Sequence, residues 1–550
     1  HSVSHVGVNI IEGKSCKNAG SALVGSRFFT AFFFQYNYLE ERKEHNMSQQ
    51  VYPQINRVVQ TESGALRGVP AGIPQYTVFK GVPYAAPPVG NLRWKEPQPV
   101  IPWKGVRDAA RFGPIAPQHR NFMGTLYGDE FYRSTEPMDE DCLYLNIWTP
   151  SITHDEKMPV LLWIHGGALM GGYGYEPEFD GEAFCREGVI LVTINYRLGI
   201  LGFFNHPDLS RESPHHVSGN YGHLDQVAAL KWIRRNIKNF GGDPNNITIF
   251  GQSAGAASVQ DLLVSPLTRG DIAGVIIQSS ASIEKISKVM APTPLEKAER
   301  LGVEYAESLG CSTVEELREL PWKVLDEAIG PQIPPKYYFG TIIDGYFLQH
   351  TPSQAYFCGE FPDIPIMVGN TSGEASMFGS GSMSVKEWER LQECLFGNKA
   401  QAYMELAQVK EPEDIPRVIK DTHTGMVGNR ALCELVLRAG HAPAYLYVFD
   451  HDLPGNNDGS FHSSELWYVF GTFERCWRPM TGTDFELSRA MTAYWANFAK
   501  RKNPNGEKLP TWKPYTETDR ENMLFQEKPH CEQVEENPLQ AFVLKYIMED

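Results

Sequence analysis

Three absences narrow what this chain can do. No apolar run reaches the roughly 18–20 residues that a membrane-spanning helix needs. The nearest, "FFTAFFFQY" at 28–36, follows Arg27 but has no clean small-x-small cleavage site after it, so it is a weak match to a secretory signal as well. There is no basic surplus: 50 Lys and Arg stand against 66 Asp and Glu, a formal charge of −16, which argues against nucleic acid and anionic membrane surfaces as partners. There is no paired-cysteine pattern either. The nine cysteines are odd in number and widely spaced, without a CxxC or Cys/His cluster, so neither a zinc site nor a disulfide framework is indicated. Free, mostly buried thiols in a reducing compartment are the plain reading. Internal repeats and low-complexity linkers are also missing. What remains is a 550-residue globular composition, 42% hydrophobic, long enough to bury a large core without covalent staples.

Residues 1–46 differ from the rest. They begin with His, show no steady period and end in the charged run "LEERKEH" before Met47. They are expected to be a non-native or disordered leader, with residues 47–550 forming a single domain.

From residue 51 onward, short β-rich runs alternate with glycine turns and helical stretches. "MPVLLWIHGG" (158–167), "GVILVTINYR" (188–197), "NITIF" (246–250), "IPIMVGN" (364–370) and "AYLYVFDHD" (444–452) read as buried strands. "LDQVAALKWIRRNIKNFGG" (224–242) has apolar residues at helical spacing and a glycine stop. This alternation predicts an α/β fold with a large, mostly parallel central sheet flanked by helices. The charged stretches at 293–310 and 313–329 are expected to be amphipathic helices packed beside the sheet or over a site as a cap.

The chemistry centres on "GQSAG" (251–255). A Gly-x-Ser-x-Gly pattern is weak by itself in a chain of 49 glycines, but Ser253 gives the one match. Its setting is more telling: a strand before and a helix after are what a nucleophile elbow requires. A serine hydroxyl needs a neighbouring base to take its proton and donors for the oxyanion that forms. The glycine-rich "IHGGALMGG" (164–172) after a buried strand supplies candidate backbone donors, with the N–H of Ala254. The acid and base should follow on loops after later strands, in the order Ser, Asp/Glu, His. Glu374 follows "IPIMV", with Asp344 and Asp363 as rivals. His462 follows "AYLYVFDHD", with His423, His441 and His451 as alternatives among 16 histidines.

Several long blocks in order now carry a resemblance. "FKGVPYAAPPVGNLRW" (79–94), "EDCLYLNIWTP" (140–150), the serine block 219–258, "YWANFAKRKNPN" (494–505) and "LPTWKPY" (509–515) resemble the type-B carboxylesterase family, the cholinesterase-like α/β-hydrolases, and the bacterial para-nitrobenzyl type in particular. The resemblance runs from about Val51 to the C-terminus. It implies an α/β-hydrolase fold with helical cap insertions and ester hydrolysis without metal or cofactor. It implies Ser253 as nucleophile, Glu374 as triad acid and His462 as base. The oxyanion donors are then the backbone N–H groups of Gly167, Ala168 and Ala254, with Gly166 shaping the loop. Ser279 falls where the family has a second serine supporting the triad, and Arg93 and Glu140 where members have a buried ion pair.

The chain departs from the family pattern in four places. Ala168 stands where many members have a third glycine, and Gln252 where many have Glu. Residues 105–143 hold no tryptophan, the residue with which cholinesterases hold a cation by cation–π contact; Tyr127 and Tyr132 are the aromatics available. Cys142 resembles a half-cystine of secreted members but has no cysteine between itself and Cys16 to pair with, which fits a cytoplasmic, bacterial-type member. The expectation is therefore a serine hydrolase of neutral, small to medium aliphatic or aryl esters. A feruloyl-type or thioester hydrolase of the same fold is the alternative, and a non-catalytic binding module a remoter one. Oligomeric state is open between monomer and dimer.

Overall fold

A computed structural model describes residues 57–549, apart from 72–75, 120–125, 132–135, 281–282, 284, 287–290, 331–335, 375–382, 423 and 535–536. The leader 1–46, Tyr132 and His423 thus lie outside the described residues. The centre of the molecule is an eleven-stranded sheet whose strands we number in chain order: β1 Val69–Pro70, β2 Thr77–Pro83, β3 Tyr144–Thr149, β4 Met158–Ile164, β5 Ile190–Ile194, β6 Gly242–Gln252, β7 Gly274–Gln278, β8 Ile366–Thr371, β9 Tyr445–Phe449, β10 Glu521–Phe525 and β11 His530–Gln533. Their spatial order is β11-β10-β9-β8-β7-β6-β4-β5-β3-β2-β1. From β5 across to β10 every neighbouring pair is parallel, and both edges turn antiparallel. The mostly parallel sheet expected from the strand–helix alternation is present.

The parallel strands are buried on both faces, so their sequences are continuously apolar. Side chains alternate between faces with period two. In β4, Val160, Leu162 and Ile164 join one core, and Leu161 and Trp163 the other. Helices Tyr221–Asn236 and Ala254–Val264 pack on the first face through Leu224, Leu230, Ile233, Ala256 and Val259. Helix Gly482–Arg501 covers the second through Leu487, Met491, Trp495 and Phe498. The first of these helices runs from Tyr221 rather than Leu224 and passes through a 3-10 turn, Ile237–Phe240, to the expected stop at Gly241, whose φ is 89°. The two charged stretches form helices Leu295–Ser308, Val314–Glu319 and Trp322–Ile329. Their apolar sides meet the β5–β6 crossover, where Tyr305 packs edge-on to Phe204.

The ion pair that the resemblance implies is in place and mostly buried: Arg93 donates to Glu140 at 2.7 Å and also to the Leu320 carbonyl. All eight described cysteines are free, but of them only Cys142, Cys185 and Cys433 are buried and Cys358 and Cys394 are exposed, so the expectation of mostly buried thiols is not met. Among the described residues no helix is long and apolar enough to cross a membrane.

Candidate active site

In a doubly wound sheet, ligands sit outside the carboxyl ends of the parallel strands. The four sequence-predicted elements all emerge there: the Gly166–Gly172 loop after β4, Ser253 after β6, Glu374 after β8 and His462 after β9.

Ser253 is held in an unusual backbone conformation, φ 56° and ψ −125°, between β6 and helix Ala254–Val264. Such a conformation costs about 1–3 kcal/mol and persists only when its surroundings enforce it. They do. The Ser253 N–H donates to the Gln278 carbonyl at the end of β7 (2.9 Å), and the Ser253 carbonyl takes the Ala257 N–H (3.0 Å). The flanking glycines serve a different purpose, since neither has positive φ. A Cβ on Gly255 would lie 2.1 Å from the Ile164 carbonyl oxygen, and one on Gly251 2.5 Å from the Gly255 backbone. Close approach of β4 to the elbow is what excludes side chains at these two positions.

The glycine-rich loop after β4 is bent back on itself. The Gly167 carbonyl accepts from Met170 and Gly171, and Gly172 is clamped by Gln118, whose amide both accepts from its N–H (2.8 Å) and donates to its carbonyl (3.0 Å). Gly167 has φ 100°, and Ala168 is left-handed at φ 55°. The alanine therefore sits where glycine is cheaper by roughly 1–2 kcal/mol, yet it keeps its N–H. Among the described residues the N–H groups of Gly167, Ala168 and Ala254 donate to no other group. Gly166 lies against the elbow, where an added Cβ would come 3.3 Å from Ser253 Cβ.

The other two loops are stapled together. The Gly373 N–H donates to the Ser460 carbonyl (3.0 Å), and the Ser372 N–H to the Phe449 carbonyl (2.8 Å). This brings the Glu374 carboxylate onto His462 Nδ1. The other Glu374 oxygen takes the Thr371 N–H at 3.0 Å. Both side chains are buried. A carboxylate on Nδ1 fixes the proton there and leaves Nε2 as the nitrogen with an accepting lone pair. Burial pulls the His462 imidazole toward its neutral form, but the charge and hydrogen bond of Glu374, with the charge of Glu465, outweigh it and hold the basicity above the usual imidazole value.

His462 Nε2 faces the Gln252 amide nitrogen at 3.1 Å. Among the described residues the Ser253 hydroxyl makes no hydrogen bond to it, so the structure joins Glu374 to His462 directly and leaves Ser253 one residue along the chain from Gln252, the present partner of Nε2. Catalytic hydrogen bonds are often long in the absence of substrate and tighten in the reacting complex.

The rivals separate cleanly. Asp344 caps its own turn, accepting from Tyr346, Phe347 and Leu348, and Asp363 accepts the Ala442 N–H. His451 pairs with Asp484 at 2.8 Å, and His441 packs on Phe361. His165, next to Gly166 of the glycine-rich loop, stacks on Tyr196 and is pushed down to about 4 by burial, so it stays neutral. Ser279 lies at the end of β7, its N–H on the Gly369 carbonyl and its buried hydroxyl without a partner among the described residues. One buried neighbour of the pair was missed from the sequence. Glu465, fully buried, accepts from Gln278 Nε2 at 3.1 Å, and burial and the Glu374 charge push it up to about 7. Its spacing, three residues after His462, is the signal that was there to read.

The carboxylesterase family model matches residues 55–543. The chain belongs to the carboxylesterase family. It is 35% identical over 489 residues to a fumonisin B1 esterase of Sphingopyxis macrogoltabida, covering 84% of this chain and 85% of that protein. It is 33% identical over 482 residues to a para-nitrobenzyl esterase of Bacillus subtilis, covering 86% and 95%. Among solved structures, a PNB esterase superposes with a TM-score of 0.77 at 31% identity over 88% of this chain and 99% of that one. A Geobacillus stearothermophilus carboxylesterase does so at 0.74 and 34%, over 88% and 99%. The fold is that of the α/β-hydrolases, and the carboxylesterase acts on carboxylic esters.

Proposed function

We propose that this carboxylesterase works through a Ser253-His462-Glu374 triad on neutral, small to medium esters. Ser253 Oγ attacks the ester carbonyl as His462 Nε2 takes its proton, and Glu374 holds the imidazole tautomer and stabilises the imidazolium. The tetrahedral oxyanion is received by the N–H groups of Gly167, Ala168 and Ala254. His462 then protonates the leaving alcohol, and water repeats the sequence on the acyl-enzyme. The observation that carries this reading is the buried Glu374–His462 pair, brought by two stapled loops to the residue before a serine held at φ 56°.

Preference for neutral over choline esters rests on Gln252, which puts an amide rather than a carboxylate against His462 Nε2. Eight free cysteines are consistent with a reducing, cytoplasmic setting, and bacterial esterases are among the relatives. Hydrolysis of p-nitrophenyl esters from acetyl to palmitoyl by the parent and Ser253→Ala tests the reading. Turnover of the short and medium esters, lost in the variant, is expected; a variant that hydrolyses p-nitrophenyl butyrate at near parental rate overturns it.

A further inference from the structure

The glycine-rich loop ends on buried carboxyl groups that the proposed reaction leaves unused. Three consecutive residues at its exit are each held by a side chain. Gly172 is clamped by Gln118, the Tyr173 N–H donates to Glu176 Oε1 (2.7 Å), and the Gly174 N–H donates to Asn195 Oδ1 (2.8 Å). A Cβ on Gly172 would come 3.0 Å from Glu176 Oε1, 2.8 Å from the Gly166 carbonyl oxygen and 2.6 Å from His165 Nδ1. Entry and exit of the loop therefore close on each other around the Glu176 carboxylate. Glu178 turns its carboxyl back onto that of Glu176, within hydrogen-bond reach. The two residues are 2% and 1% exposed, and Glu178 Oε2 receives no donor among the described residues. The Glu178 carbonyl is pinned by the Thr472 hydroxyl at 3.0 Å.

A carboxylate only accepts, so a hydrogen bond between two carboxyl groups needs a proton on one of them. The groups facing the pair bring no positive charge to replace it. His165 is neutral, and Tyr196, stacked on His165, is kept protonated by burial. Glu130, which faces Glu178, is a like charge already bound by Arg478. Burial, and for Glu178 the neighbouring carboxylates, raise both groups above the ordinary carboxylate range.

We propose that Glu176 and Glu178 are positioning residues for the glycine-rich loop: Glu178, as a neutral acid, donates to the Glu176 carboxylate that anchors Tyr173, and loss of that proton loosens the loop. The inference rests on reading the Gly167 and Ala168 N–H groups as oxyanion donors, which need the base of the loop closed. Two carboxylates in contact, with no cation between them, repel and open that base. Activity is therefore present while the pair keeps a proton and is lost as pH rises past its last ionisation. Stability follows the same sign: groups raised on folding favour the folded state at low pH and weaken it as pH rises. The pair thus sets an alkaline limb, where His462 sets the acid one.

The test measures kcat and KM for p-nitrophenyl butyrate across neutral and alkaline pH in the parent, Glu178→Leu, Glu178→Gln and Ser253→Ala, with folding checked by circular dichroism. The parental kcat is expected to fall on the alkaline side by about tenfold per pH unit, as for loss of one proton. Glu178→Leu has no proton to give. It is expected to lower kcat about ten- to a hundredfold at neutral pH with KM little changed, since deleting an oxyanion donor outright costs about 10²–10³. Glu178→Gln, whose amide N–H donates without ionising, restores most of that kcat and holds it through the alkaline range. Where Glu178→Leu does not fold, the comparison of Glu178→Gln with the parent decides by itself. A parental kcat that stays level to about pH 10, a Glu178→Gln limb that matches the parent's, or a folded Glu178→Leu at parental kcat would overturn the proposal. Hydrolysis that persists in Ser253→Ala overturns the reading of the site instead, so the two failures are distinguishable.

Discussion

The two halves of the candidate site are built by different means. On the β4–β6 side, the loop 166–172 and the elbow at 251–255 are backbone devices. Ser253 and Ala168 sit at positive φ, and β4 and the elbow approach so closely that Gly251 and Gly255 cannot carry a Cβ. On the β8–β9 side, Glu374, His462 and Glu465 are buried titratable side chains whose pairing depends on two loops held in register by backbone bonds from Gly373 and Ser372. The first half tolerates no Cβ at Gly251 or Gly255. The second should tolerate shape-conserving changes in folding while losing function, because its arrangement is electrostatic.

Substitutions can break or sharpen that contrast. The largest effect on rate is expected from Ser253→Ala, a fall in kcat of about 10⁴-fold or more with the fold intact by circular dichroism. Glu374→Gln should follow, at about 10³–10⁴-fold, since the amide no longer stabilises the imidazolium. It should also move the acid limb of the kcat/KM profile to lower pH. The base acts when neutral, so activity is lost as pH falls through the His462 value. Glu374 holds that value up, and removing its charge lets it drop. On the backbone side, Gly255→Ala should cost about 3 kcal/mol in denaturant unfolding, because its Cβ meets a carbonyl oxygen rather than a yielding side chain.

How much of this was legible in the sequence follows the same division. Backbone devices leave local marks, so "GQSAG" and "HGGA" could be read from flanking strands and glycines. The reason for the glycines could not, because the intruding carbonyl belongs to Ile164, about ninety residues earlier. Glu374 and His462 had rivals that chain order and family resemblance narrowed; in the structure Asp344, Asp363, His441 and His451 make other contacts, away from this pair. Glu465 escaped because its spacing from His462 says nothing of burial; it bonds to Gln278, which Trp495 of helix Gly482–Arg501 also holds. Gln252 was read as a missing charge, and its contact with the base nitrogen became visible once two loops 210 positions apart were brought together.

Smaller effects sharpen the comparison. Glu465→Gln should shift the acid limb to lower pH by less than Glu374→Gln does, because its charge acts on His462 without a hydrogen bond. Ala168→Gly should change kcat/KM by less than about threefold, since the proposed donor is a backbone N–H and only the left-handed strain is relieved.

The most direct test of the central claim is covalent labelling with an organophosphonate ester followed by peptide mapping. The account predicts one adduct per chain, on Ser253, formed rapidly in the parent and slowly in Glu374→Gln. A label on Ser279 or another residue, or ester hydrolysis that persists with Ser253 unmodified, would contradict it.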